Sequence, residues 1–156
     1  MPSELQLEVT VQFLDVRWKT ALRPYCKTVR SVCHAVLDDA KLAKTGQHFE
    51  MAVVLADDAF IRDLNHTWRG MDKPTNVLSF PSGEKAAIGD IILAFDKVAR
   101  EAKEQGKSVR DHAIHLLVHG TLHLLGYDHI RESDAKAMEA REIKILKKLD
   151  VSNPYL

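Results

Sequence analysis

Residues 108–129 read SVRDHAIHLLVHGTLHLLGYDH. Val109, Ile114, Leu117, Val118, Leu122 and Leu125 recur at helical spacing, with Ser108 before them and Gly126 after. Serine caps a helix start and glycine ends a helix in a left-handed turn, so one long helix is predicted from Ser108, stopping at Gly126. It carries His112, His115, His119 and His123, and a fifth histidine, His129, follows the glycine. At 100° per residue the first four fall within roughly 80° of helix face. His119 and His123, four apart, stack about 6 Å from each other, close enough to hold one ion.

A turn at Gly126 lets the chain double back and bring His129 over that pair. Three imidazoles leave a tetrahedral zinc one open position, the catalytic and not the structural arrangement. His112 and His115 share the face, so either is a candidate to replace a ligand or to support one from behind. The spacing with His129 favours His119 and His123, leaving His115 packed near the site and His112 structural or on the surface. Asp128 is a candidate to orient a ligand, carry a proton or stabilise the turn, with catalysis the least favoured of these.

The pattern H-x3-H-x5-H with Gly126 is that of a metzincin protease, H-E-x-x-H-x-x-G-x-x-H, save that Gly120 stands where the protease has its glutamate. The ligands are kept and the usual base is absent. Zinc lowers the pKa of a bound water to about 7, so a strong neighbouring base is not obligatory. RNA needs it least, because the 2′-hydroxyl is a nucleophile already beside the scissile phosphate. A peptide bond offers no such help, which makes a peptidase the weakest reading.

Residues 68–81, WRGMDKPTNVLSFP, gather Arg69, Asp72, Lys73, Thr75, Asn76 and Ser79 into one turn and strand. Loops this rich in functional groups often line sites, and a guanidinium fork suits a phosphodiester. A solvated turn explains the same residues equally well.

Around these segments, LQLEVTVQF (5–13) alternates apolar and polar residues as a half-buried strand does. An amphipathic helix is expected from Val16 to about Leu42, with Pro24 near its true start. FEMAVVLA (49–56) reads as a more buried strand, and Asp57 or Asp58 as the cap of a helix through Phe60, Ile61 and Leu64. VLSF (77–80) is expected to be an edge strand because Pro81 adjoins it, and GDIILAF (89–95) a further strand. Asp96 opens a helix ended by Gly106. A last helix over 133–149 turns Met138, Ile143, Leu146 and Leu149 inward. Four strands intermixed with helices give an α+β or mixed α/β class in one domain.

A chain of 156 residues buries roughly 70% of its unfolded surface. The formal net charge is zero, so bulk charge gives no case for nucleic-acid binding, although a local basic patch is compatible with it. No apolar leader and no run of roughly 18 apolar residues is present, which points to the cytoplasm. Cys26 and Cys33 lie on one face of a helix and are expected to be buried free thiols.

Together the two motif segments resemble the YbeY family of bacterial metal-dependent endoribonucleases. The match lies in residues 69–81, in GDI at 89–91 and in HGTLHLLGYDH at 119–129, with the first 45 residues least distinctive. The resemblance implies one α+β domain over 1–156, a small mixed four-stranded sheet flanked by helices, and a metal site on a long helix and the turn after it. It implies one zinc ion on His119, His123 and His129, with Arg69 taking part in activity. It implies single-stranded RNA as substrate, notably the 3′ end of small-subunit ribosomal RNA, in ribosome assembly and quality control. The expected partners are the small ribosomal subunit and assembly factors, with neither DNA nor membrane. Whether water or the 2′-hydroxyl attacks stays open. The alternatives are a non-catalytic, metal-stabilised assembly or RNA-binding factor, and a metzincin-like peptidase.

Overall fold

Along β1 (Gln6–Phe13) Leu7, Val9, Val11 and Phe13 turn toward the core, while Gln6, Glu8, Thr10 and Gln12 face solvent. That period of two is the pattern of a strand with one covered face. In the computed structural model, residues 5–42, 46–69, 75–84, 86–127 and 131–156 are described, without the side chains of Trp68 and Arg69. β1, β2 (His48–Ala56), β3 (Val77–Pro81) and β4 (Ala87–Ala94) form one sheet in the order β1-β2-β4-β3. β1 pairs with β2 and β2 with β4 in parallel, whereas β3 pairs with β4 antiparallel. The sheet is therefore mixed, and β3 lies at its edge as Pro81 requires. The fold is α+β.

The stretch expected as one helix from Val16 is two, α1 (Arg17–Ala21) and α2 (Tyr25–Asp39). Pro24 separates them, because its ring excludes the preceding residue from helical geometry and it has no N–H to continue the ladder. α1 is anchored by the fully buried Trp18, whose indole Nε1 donates to the Ala56 carbonyl over 2.8 Å. α3 (Asp58–Arg69) starts with the Asp57 carboxylate accepting from the Phe60 N–H, and covers part of the second sheet face through Ile61 against Leu78 and Ile92.

α4 (Phe95–Glu104), α5 (Val109–Leu124) and α6 (Glu132–Lys148) complete the structure. α6 differs from expectation in its inner face, which is Met138, Glu142, Ile145 and Leu146 and leaves Ile143 half-exposed. The helical period from Met138 passes through 142, 145 and 146, so an acid, Glu142, falls on the buried stripe. Among the described residues, no helix is long and apolar enough to cross a membrane.

α5 touches α2, α4, α6, β3 and β4, and ten of its sixteen residues are buried. Its start is capped as predicted, with Ser108 Oγ accepting from the Asp111 N–H over 3.0 Å. Its end is a Schellman motif: the Tyr127 N–H bonds the Leu122 carbonyl and the Gly126 N–H that of His123. Gly126 has φ +101°, a conformation glycine adopts without penalty.

Gly120 serves a different need. A Cβ there would lie 3.1 Å from Ser79 Oγ and 3.4 Å from two carbons of Ile91, so glycine lets α5 lie close against β3 and β4. Gly120→Ala is expected to be near neutral. Its gain in helix propensity of about 1 kcal/mol offsets a small shift of Ser79. Gly120→Glu forces a carboxylate into the same space and is expected to cost about 3 kcal/mol or more, read as a lower urea midpoint.

Candidate metal centre

On α5 the rings of His119 and His123 meet at a centroid distance of 4.5 Å, nearly perpendicular, with their Nε2 atoms 3.0 Å apart. Two ring nitrogens that close share one proton or one cation, since two N–H groups would repel. Nitrogen ligands about 2.0–2.1 Å from a tetrahedral ion stand roughly 3.3 Å from each other. The pair thus needs little movement to accept a divalent ion, and the donor set fits one.

Behind His119 lies Glu142 of α6, whose side chain is 1% exposed. His119 Nδ1 is 2.7 Å from its Oε1. An ionised carboxylate only accepts, so the His119 proton sits on Nδ1 and the Nε2 lone pair is directed at His123. His115 Nε2 reaches the same Oε1 at 3.3 Å, and the Tyr155 hydroxyl donates to Oε2 over 2.5 Å. Burial pushes the Glu142 carboxyl up, but these three hydrogen bonds outweigh it and hold the group at about 2. The Tyr155 hydroxyl is driven upward by burial and by the carboxylate beside it.

His112, one turn earlier, is structural. It is buried and its Nε2 lies 3.0 Å from Glu101 Oε1, which also accepts from Asn76 Nδ2 over 2.9 Å. Burial keeps His112 below the usual imidazole range, with Glu101 opposing. Asn76, one of the functional groups of the 68–81 segment, is thereby taken up in tying that segment to α4. Ser79 lies behind α5, its hydroxyl 3.4 Å from the Gly120 carbonyl.

Of the residues expected to form the site, His119 and His123 come together on α5. Arg69 is the last residue of α3, and its side chain lies outside the described residues, as do Asp72, Lys73, Asp128 and His129. Glu142 and Tyr155 escaped the sequence reading. Glu142 had a signal, an acid on the apolar stripe of α6, but Tyr155 had none.

Among the described residues, Glu8, His48 and Glu50 also bring possible ligand atoms within 4.8 Å of one another. They are exposed and lie on the sheet face opposite α5, where solvated ion pairs contribute little. Cys26 and Cys33 are free. Burial raises the Cys33 thiol to about 12, which keeps it inert, whereas Cys26 is only half-buried.

A profile of the family described as Endoribonuclease YbeY matches residues 11–150. The chain belongs to the YbeY family. Its YbeY relatives include the protein named Endoribonuclease YbeY of Rhizobium etli, 43% identical over 163 aligned positions that span 98% of this chain and 94% of that protein. The protein of the same name from Methylocella silvestris is 54% identical over 117 positions, spanning 72% of this chain and 66% of that one. In three dimensions the fold is similar to the solution structure of TM1509 from Thermotoga maritima, with a TM-score of 0.61 over 91% of both chains at 20% identity.

The depressed Glu142 carboxyl gives this YbeY chain a definite response to acid. Its stabilisation is complete above the unfolded carboxyl value of about 4.3 and is lost as pH falls toward about 2. The melting temperature is expected to drop across that window. In Glu142→Gln, melted by circular dichroism at the same pH values, the drop is expected to be shallower.

Proposed function

We propose that this chain is a metal-dependent endoribonuclease that cleaves single-stranded RNA in ribosomal RNA maturation, at the 3′ end of the small-subunit RNA. In this reading His119, His123 and His129 hold one zinc ion and Arg69 meets the scissile phosphate. The observation that carries it is the pair of Nε2 atoms at 3.0 Å, with the His119 ring oriented by a buried carboxylate. Membership of a family whose relatives are named endoribonucleases supports it.

A divalent ion bound there supplies Lewis-acid polarisation of a phosphoryl oxygen. The chain's own residues do the rest. Glu142 fixes the tautomer and direction of His119. The Arg69 guanidinium pairs two phosphate oxygens and neutralises developing charge. The position of a metzincin base, Gly120, lies against Ser79 and Ile91, so no side chain there serves water activation. This favours a substrate that brings its own nucleophile, as RNA does, over a peptide. The whole chain acts as one domain, in the cytoplasm, on the small ribosomal subunit with its assembly factors.

A second reading is an assembly factor in which the ion mainly stabilises the fold, and the burial of α5, which carries the pair, favours it. Purified protein incubated with single-stranded RNA separates the two. Cleavage is expected to fall about 100-fold or more on chelation and in His119→Ala, and by a similar factor in Arg69→Ala without loss of bound metal. Cleavage that survives both chelation and His119→Ala would overturn the nuclease reading. A 2′,3′-cyclic phosphate on the product identifies the 2′-hydroxyl as nucleophile, and its absence identifies water.

A further inference from the structure

α6 ends in the same hydrogen-bond pattern as α5. The Val151 N–H bonds the Leu146 carbonyl and the Asp150 N–H that of Lys147, with Asp150 at φ +60°. The chain therefore doubles back. Val151 enters the core, and the Tyr155 N–H is held by Asn153 Oδ1 over 2.8 Å. This return lays the Tyr155 ring edge-on against His115, centroids 5.6 Å apart, and delivers its hydroxyl to Glu142 Oε2.

The three donors to Glu142 are divided between its oxygens. His119 and His115 share Oε1, and Tyr155 takes Oε2. A carboxylate held by one oxygen can still turn about its terminal torsion, which is broad for glutamate. Held by both, it presents Oε1 to His119 in one direction only. The hydroxyl of Tyr155 also stands 3.4 Å from His115 Nε2, so one tail residue braces His115 directly and His119 through Glu142.

We infer that Glu142 and Tyr155 are positioning residues for the candidate metal centre, together locking His119 with its proton on Nδ1 and its lone pair on Nε2. This rests on His119 and His123 being ligands, and it adds a tail residue to a pair carried by α5 and a carboxylate carried by α6. Tyr155 acts through Glu142, whose Oε2 it holds. Loss of an outer partner of this kind typically weakens metal binding by about 10- to 100-fold.

The test uses the full chain in wild-type, Tyr155→Phe, Glu142→Gln and His119→Ala forms, each checked by circular dichroism. Zinc affinity is measured by competition with a chromophoric chelator, and imidazole nitrogen NMR of the metal-free protein at pH 8 reads the His119 tautomer. Glu142→Gln is expected to bind zinc about 10- to 100-fold more weakly, and Tyr155→Phe about 3- to 10-fold more weakly. Both are expected to convert the Nδ1–H form of His119 into a mixture. Since Glu142 is buried and its variant is the one at risk of unfolding, the half-exposed Tyr155 gives the deciding variant. Wild-type affinity and tautomer in both variants, with zinc lost in His119→Ala, would overturn the inference while leaving the metal site standing. An effect of Glu142→Gln without one of Tyr155→Phe would remove the tail from it. Equal zinc binding by wild type and His119→Ala would remove the metal site and the inference together.

Discussion

A helix buried on most sides can carry histidines only if each ring it takes inside is held through at least one nitrogen, and three of the four histidines of α5 meet a carboxylate. The surrounding structure is arranged around that demand. Glu101 of α4 meets His112 and Glu142 of α6 meets His115 and His119, so two helices each turn a carboxylate toward α5. The Nδ1 atoms of His112 and His115 are buried without a hydrogen-bond partner, and each ring meets its carboxylate through Nε2. An unmatched carboxylate in either place would be costly to bury; with several donors each is held in its charged form. The same network ties Asn76 to Glu101, so the edge of the sheet and the histidine face are held by shared side chains.

What the sequence revealed and what it concealed divide along physical lines. Alternation located β1, and the serine cap and closing glycine bounded α5, because those signals are local. The His119/His123 pair was legible for the same reason, since four residues along a helix determine proximity without any tertiary information. Glu142 was hidden because a glutamate is ordinarily solvated, and the donors that make its burial tolerable come from α5 and from the tail. On α6, Ile145 and not Ile143 lies on the stripe, seven residues from Met138 and four from Leu149, and accepting that period means accepting Glu142 on the same stripe. Tyr155 was invisible, since its role depends on how the chain returns after Asp150. Pro24 stands at the true start of the main helix, as its backbone rule predicts, and the apolar residues before it form the separate short α1.

Gly120 changes meaning once the sheet is seen. By motif comparison it is a base that is missing. In the fold it is a point where α5 lies close against β3 and β4, at Ser79 and Ile91. The spacing that aligns His119 with His123 thus also points the residue between them, one position on from His119, at a packed surface. Ligand geometry and helix packing are settled by one register.

The charge on Glu142 has an effect beyond orienting a ring. Ionised at neutral pH and shielded from water, it adds a standing negative potential to the face of α5 that bears His119 and His123. A backbone carbonyl in its place would orient the imidazole comparably without that field. The carboxylate makes the face selective by sign: cations are drawn to it and phosphates repelled. A polyanion meets an attractive surface there only where added positive charge exceeds what Glu142 cancels.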